Sequence, residues 1–237
     1  MIDAGCFING KSLNHLFYAD DSVLMAPSAE ALQMLLDECD KYAKQTELTY
    51  NTKKTVCMLV RPKWLKDLKS PHITLNGSTL DFVDNHCYLG VQLSQDVKDE
   101  LDMKKQMKSI YARGNGLIRQ FKHCNSDVKV KLFKSYCSSV YACALWKNYT
   151  KSVYKKVKGA YSNIFRHLLK FDRTIDSCEL MVNNKVDTFN VIIRKLVFSL
   201  RCRLLNSDNS LVKTVIGCQF FYSSPMFNHW ETSLGKM

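Results

Sequence analysis

The spacing of hydrophobic and polar positions changes near residue 95, and this is the main division in the sequence. Before it, short apolar runs alternate with turn residues. "GCFINGKSLNHLFYADDSVLMA" holds an Asn9-Gly10 pair between two apolar runs, a strong signal for a tight hairpin. "LNHLFY" and "SVLMA" both fit strands, so a second reversal is expected at Asp20-Asp21. Pro27 and Ser28 open a helix over residues 28–44, with Ser28 as N-cap. Leu32, Leu35, Leu36, Cys39 and Ala43 then recur at helical spacing and form one apolar face. Short strands are expected at residues 55–60, on both sides of an Asn76-Gly77 turn, and at residues 87–93.

After residue 95 the period becomes helical. Three long helices are expected over residues 97–122, 127–147 and 150–171, and two more over 187–205 and 209–217. Gly114 and Gly116 weaken the middle of the first and give it a place to kink. The tail, "FFYSSPMFNHW", shows no clear period. The expected fold class is therefore α+β, with a mixed segment 1–95 followed by helices.

Charge sharpens this division. The net charge is +12, but residues 1–97 carry −3, residues 98–173 carry +13 and residues 174–237 carry +2. A basic block beside a slightly acidic one suggests that one part grips a polyanion while the other holds carboxylates for another purpose. The plain alternative is a solvated, lysine-rich helical surface.

Apolar residues make up 46% of the chain, which fits a globular protein and argues against disorder. No apolar run approaches the roughly 20 residues of a membrane span, and the start lacks a signal-peptide pattern. The ten cysteines are scattered without a CxxC pair, so free, mostly buried thiols in a reducing intracellular compartment are expected, rather than a zinc site or disulfides.

Three motifs carry candidate chemistry. At a hairpin tip the strand alternation of side chains breaks, so the Asp20 and Asp21 carboxylates can reach the same space. They repel unless a cation sits between them, and Mg²⁺ takes such oxygen ligands together with substrate phosphates. Asn51 and Lys54-Thr55 follow in a turn, where Lys54 could neutralise a leaving pyrophosphate. Tyr88-Leu89-Gly90 reads either as a core strand or as an apolar hairpin end that braces a nucleic acid. Each motif taken singly also fits an ordinary turn or strand.

In this order, "NHLFYADD" (14–21), the 28–44 helix, "NTKKT" (51–55) and "CYLG" (87–90) resemble the reverse transcriptases of non-LTR (LINE-type) retrotransposons. "CFING" and the later "Y…LW" segment (141–146) look like members of the same family. The resemblance implies a partial polymerase palm over 1–95, a helical thumb over 96–175 and a C-terminal helical region over 176–237. It implies RNA-directed DNA synthesis, in which a primer 3′-hydroxyl attacks a dNTP at a two-metal Mg²⁺ site. Asp20 and Asp21 would be metal ligands and, with Lys54, catalytic; Tyr18, Ala19 and Asn51 would lie against the nucleotide. Tyr88, Leu89 and Gly90 would form the primer grip. The template–primer duplex would meet Lys104, Lys105, Lys108, Lys129, Lys131, Lys134, Lys155, Lys156 and Lys158. A location in nucleus and cytoplasm would follow from the same family.

The family's pattern also places a third metal-binding aspartate, a Gly-rich "SGxxQG"-like segment and the fingers upstream of the aspartate pair. Asp3 lies too close to serve as that third ligand and lacks its surrounding strand. The isolated chain is therefore expected to polymerise poorly, to depend on the rest of a longer reverse transcriptase, and to expose an unpaired sheet edge prone to association. A nucleic-acid-binding remnant without catalysis is the second expectation.

Overall fold

The computed structural model describes residues 4–61, 70–172 and 174–235, so Asp3 lies outside the described residues. Within these, the chain forms two compact units. The first takes in the described residues up to His86 together with Ser207–Phe221; the second takes in Cys87–Asn206 and the described residues from Tyr222 on. The "CYLG" segment therefore belongs with the helices, although the change of period falls near residue 95.

The first unit starts with two hairpins. β1 (Cys6–Ile8) and β2 (Lys11–Leu13) pair with Ile8 opposite Lys11, leaving Asn9-Gly10 as a two-residue loop. Both loop residues have positive φ, 49° and 74°, the backbone that an Asn-Gly pair adopts at low cost. β3 (His15–Tyr18) and β4 (Asp21–Leu24) follow, and then α1 (Ala29–Gln45), whose first turn is capped by Ser28 accepting from the Ala31 amide.

The strand expected over 55–60 forms only at β5 (Val56–Cys57). β6 (Thr74–Leu75) and β7 (Ser78–Thr79) close the Asn76-Gly77 hairpin, and β5 pairs in parallel with β8 (Asp81–Phe82). Leu36, Cys57, Ile73, Leu75 and Leu80 are the buried core, with Leu24, Ala29, Leu32, Tyr50 and Phe82 packed around them. Gln33 ties α1 to this core: its side-chain amide donates to the Thr74 carbonyl at 3.0 Å and accepts from the Thr74 amide at 2.9 Å. The mixed α and β character agrees with the expected α+β class, but every described sheet has two strands. α7 (Ser210–Ile216), given below in chain order, also belongs to this unit.

β9 (Asn85–Tyr88) starts in the last residues of the first unit and carries the chain into the second, where it pairs with β10 (Val91–Ser94). Then come α2 (Glu100–Gln120), α3 (Ser126–Cys137), a 3₁₀ turn (Cys143–Leu145), α4 (Lys151–Leu169), α5 (Ser177–Asn183) and α6 (Phe189–Leu205). After α7, α8 (Pro225–Leu234) returns to pack on α6. α2 and α4 form the main helix pair. Met103, Ile110 and Leu117 recur every seven residues on α2 and are buried there. Facing rings extend the core, with Phe133 4.7 Å from Phe165 and 5.0 Å from Tyr161.

Three sequence expectations change in this unit. Gly114 does not break α2, which is continuous; a Cβ there would lie 2.2 Å from Ile164 Cγ2, so the glycine lets α4 approach. Gly116 has open space around it. The helix expected over 127–147 stops at Cys137; beyond it Ala142 turns left-handed (φ 55°) and Trp146 donates to Asp102 on α2. α8 lies in the tail that showed no period, opened by Ser224 as N-cap and Pro225 in the first turn.

All ten cysteines are free thiols. Cys57, Cys137 and Cys143 are buried, Cys87 and Cys178 are exposed, and the rest are half-buried, so fewer are enclosed than expected. Burial pushes the Cys137 thiol up to about 11 and the Cys143 thiol up to about 12, which keeps both protonated and unreactive. No described helix is long and apolar enough to cross a membrane.

Candidate metal hairpin and nucleic-acid interface

The aspartate pair sits at the end of a regular antiparallel hairpin. His15 pairs with Leu24, Leu16 with Val23, Phe17 with Ser22, and Tyr18 with Asp21. Ala19-Asp20 is thus a two-residue loop, with Ala19 left-handed at φ 52°. Such a backbone costs a non-glycine residue on the order of 1–2 kcal/mol. Asp20 and Asp21 are both exposed, and so are Phe17 and Tyr18, at 62% and 66%. Two like charges at a wet tip repel by only about 1 kcal/mol, so the hairpin tolerates them, and a divalent cation would turn that repulsion into attraction. Among the described residues no cluster of three or more His, Cys, Asp or Glu could hold a metal. The pair therefore offers two hard oxygen ligands, with no third protein ligand grouped with them among the described residues.

The lysine turn stands on the same core as the hairpin. Leu24, at the end of β4, and Tyr50, just before Asn51, both pack on the first unit's core. Asn51 organises the turn: its carbonyl accepts from the Lys54 and Thr55 amides, each at 3.0 Å, and its side-chain oxygen accepts from the Lys54 amide at 3.2 Å. Asn51 thus shapes the turn, and Lys54 is left exposed.

Tyr88-Leu89-Gly90 forms a hairpin tip, not the interior of a strand. Leu89 and Gly90 both have positive φ, 45° and 82°. Tyr141 Oη donates to the Leu89 carbonyl at 2.9 Å, and Lys105 Nζ donates to the Gly90 carbonyl at 2.7 Å and to Cys87 Sγ at 3.1 Å. Lys105 is half-buried and engaged by the tip, which sets it apart from its neighbours.

The other lysines divide by exposure. Lys104 and Lys108 on α2, Lys131 and Lys134 on α3, and Lys155 and Lys156 on α4 are exposed; Lys158 is half-buried. Lys129 departs from the expectation of a phosphate-facing residue: it is 8% exposed and its ammonium donates to the Lys122 carbonyl at 3.1 Å. Lys151, which sequence reasoning passed over, joins Lys155 and Lys156 along a shallow concavity on the first turns of α4. That first turn carries no acidic residue, so the positive end of the helix dipole adds to the three ammonium groups.

Two buried or half-buried carboxylates, also missed from sequence, hold these basic helices together. Asp102, 1% exposed, accepts from Trp146 Nε1 at 2.8 Å and from the Gln92 amide at 3.0 Å. Asp99 accepts from the Lys147 and Asn148 amides at 2.7 and 2.6 Å. Both link α2 to the segment leading into α4. Trp146, Lys147 and Asn148 lie more than forty residues from their carboxylates, so no local signal points to them.

The comparisons with known proteins add an origin. Over 111 residues the chain is 30% identical to a transposon-derived protein of Caenorhabditis elegans, a match covering 46% of this chain and 39% of that protein. The similarity points to a transposon-related origin, and the matched part spans about two-fifths of the relative's length. No protein-family model and no solved structure matches the chain.

Proposed function

We propose that the chain is a part of a non-LTR retrotransposon reverse transcriptase, carrying the catalytic aspartate hairpin and the basic thumb. The observation that carries this reading is the Tyr18-to-Asp21 hairpin, which exposes two adjacent carboxylates at a two-residue turn. The lysine turn on the same core and the transposon-derived relative support it. Asp20 and Asp21 would hold Mg²⁺, which when bound activates the primer hydroxyl and steadies the pyrophosphate. Lys54 would neutralise charge on the departing pyrophosphate, with Tyr18, Ala19 and Asn51 shaping the nucleotide's surroundings. The partners are an RNA template paired with a DNA primer, held by the exposed lysines through salt-sensitive phosphate contacts, and a dNTP.

A second reading, a nucleic-acid-binding remnant without catalysis, is favoured by one observation: no third metal ligand joins the pair among the described residues. Primer extension by the 237-residue chain, with Mg²⁺ and dNTPs, tests how complete the site is. No extension is expected, because two carboxylates alone leave the second metal unsupported. Robust extension that Asp20→Ala abolishes would overturn that incompleteness and retire the second reading.

A further inference from the structure

A thiol and an amine from two elements of the second unit meet at reacting distance. Cys87 lies on β9 and Lys105 on α2, 18 residues further along the chain. Lys105 Nζ stands 3.1 Å from Cys87 Sγ and 2.7 Å from the Gly90 carbonyl oxygen. The carbonyl anchors the amine beside the sulfur, whereas a free lysine head sweeps through solvent. A separation of 3.1 Å falls within the roughly 3–3.5 Å of a near-attack arrangement, in which two groups react as if very concentrated. Cys87 is exposed, so a small oxidant reaches its sulfur. Cys178, the other exposed thiol, has no lysine bonded to its sulfur among the described residues. Cys137 and Cys143 do not compete, because burial pushes their thiols up to about 11 and about 12.

We propose that Cys87 and Lys105 are a redox-switched cross-link, which a peroxide converts to a sulfenamide that ties β9 to α2. The thiolate sulfur attacks one oxygen of hydrogen peroxide. An S–O bond forms, the O–O bond breaks, and the other oxygen leaves as water, giving a sulfenic acid. Lys105 Nζ passes one proton to solvent and attacks that sulfur. An S–N bond forms, the S–O bond breaks, and the hydroxyl leaves as water with a second amine proton. The sulfur is thereby oxidised by two electrons, the peroxide is reduced to two waters, and the protein loses two hydrogens. A dithiol reductant reverses the link by attacking the sulfur. In the linked form the hairpin is pinned to α2 and the Lys105 charge is gone. This switch is independent of the polymerase reading above.

The test treats the full chain with a small molar excess of hydrogen peroxide and maps its peptides by mass spectrometry. A joined pair of peptides holding Cys87 and Lys105, two hydrogens lighter than their sum and split by dithiothreitol, is expected. The melting temperature should rise by roughly 5–10 °C, as closing a loop of about this length does, and return on reduction. Lys105→Arg keeps a cation beside the sulfur but removes the attacking amine. That variant should give no joined pair and leave a sulfenic acid at Cys87 that dimedone captures. Cys178 is the internal control: dimedone captures it in both proteins, and Cys87 only in the variant. Capture of Cys87 equal to that of Cys178 in the unaltered chain would overturn the proposal. So would peptides that join Cys87 to Lys104 as readily as to Lys105. Mapping the unaltered chain decides between these results even where Lys105→Arg fails to fold.

Discussion

Replacing Asp102 with alanine is expected to lower the melting temperature of the second unit by about 10 °C. The carboxylate is 1% exposed and takes hydrogen bonds from the buried Trp146 indole and the Gln92 amide. Hydrogen bonds to a charged acceptor contribute about 1.5–3 kcal/mol each, and truncation leaves both donors without a partner. The indole cannot turn to water, since Trp146 is 2% exposed. At about 2–4 °C per kcal/mol for a domain of this size, the combined loss gives the stated shift. Asp102→Asn should fall between, because its oxygen serves one donor while its amide meets the other. Thermal unfolding followed by circular dichroism measures the effect. A shift under about 3 °C for the alanine variant would show that the carboxylate does not tie α2 to β10 and the Trp146 segment.

A fourfold substitution, Lys104, Lys108, Lys155 and Lys156 to glutamine, is expected to weaken binding to an RNA–DNA hybrid about a thousandfold near 0.1 M salt. All four side chains are exposed, so stability should move little. Each phosphate contact contributes roughly 0.7–0.9 to the slope of log affinity against log salt, so four contacts give a slope change of roughly 3. Extrapolated to about 1 M, where the counterion contribution vanishes, the two proteins should bind alike. An unchanged slope would return these lysines to the status of a solvated helix surface.

Local chemistry made much of this molecule legible from sequence. The Asn9-Gly10 and Asn76-Gly77 hairpins, the Ser28 cap and the aspartate turn all depend on residues within a few positions of each other. Features that depend on distant partners were not legible. The helix over 127–147 looked continuous because nothing nearby announces that Trp146 is drawn to Asp102. Lys105 and Lys129 look like their neighbours in sequence, yet one clamps a hairpin carbonyl and the other binds the Lys122 carbonyl. Gly114 reads as a helix breaker until α4 is laid against it. α8 did carry a signal, Ser224 followed by Pro225, that the aromatic tail around it obscured.

The division between local and distant also bears on the candidate metal site. Adjacent carboxylates on a hairpin are a local feature, whereas a complete two-metal cage draws ligands from separate strands. The aspartate hairpin is exposed along β3, with Leu16, Phe17 and Tyr18 all in contact with solvent. On the proposed reading, neighbouring strands of a longer polymerase would cover this hairpin.

The most direct test of the central claim is Mn²⁺ binding, with Mn²⁺ standing in for Mg²⁺, followed by electron paramagnetic resonance on the full chain with and without a dNTP. Saturable binding that strengthens when the dNTP is added, and that is lost in Asp20→Asn/Asp21→Asn, is the expected result, because the triphosphate supplies the oxygen ligands that the two carboxylates lack. Binding that ignores the dNTP, or that survives removal of both carboxylates, would contradict a nucleotide-completed metal site at this hairpin.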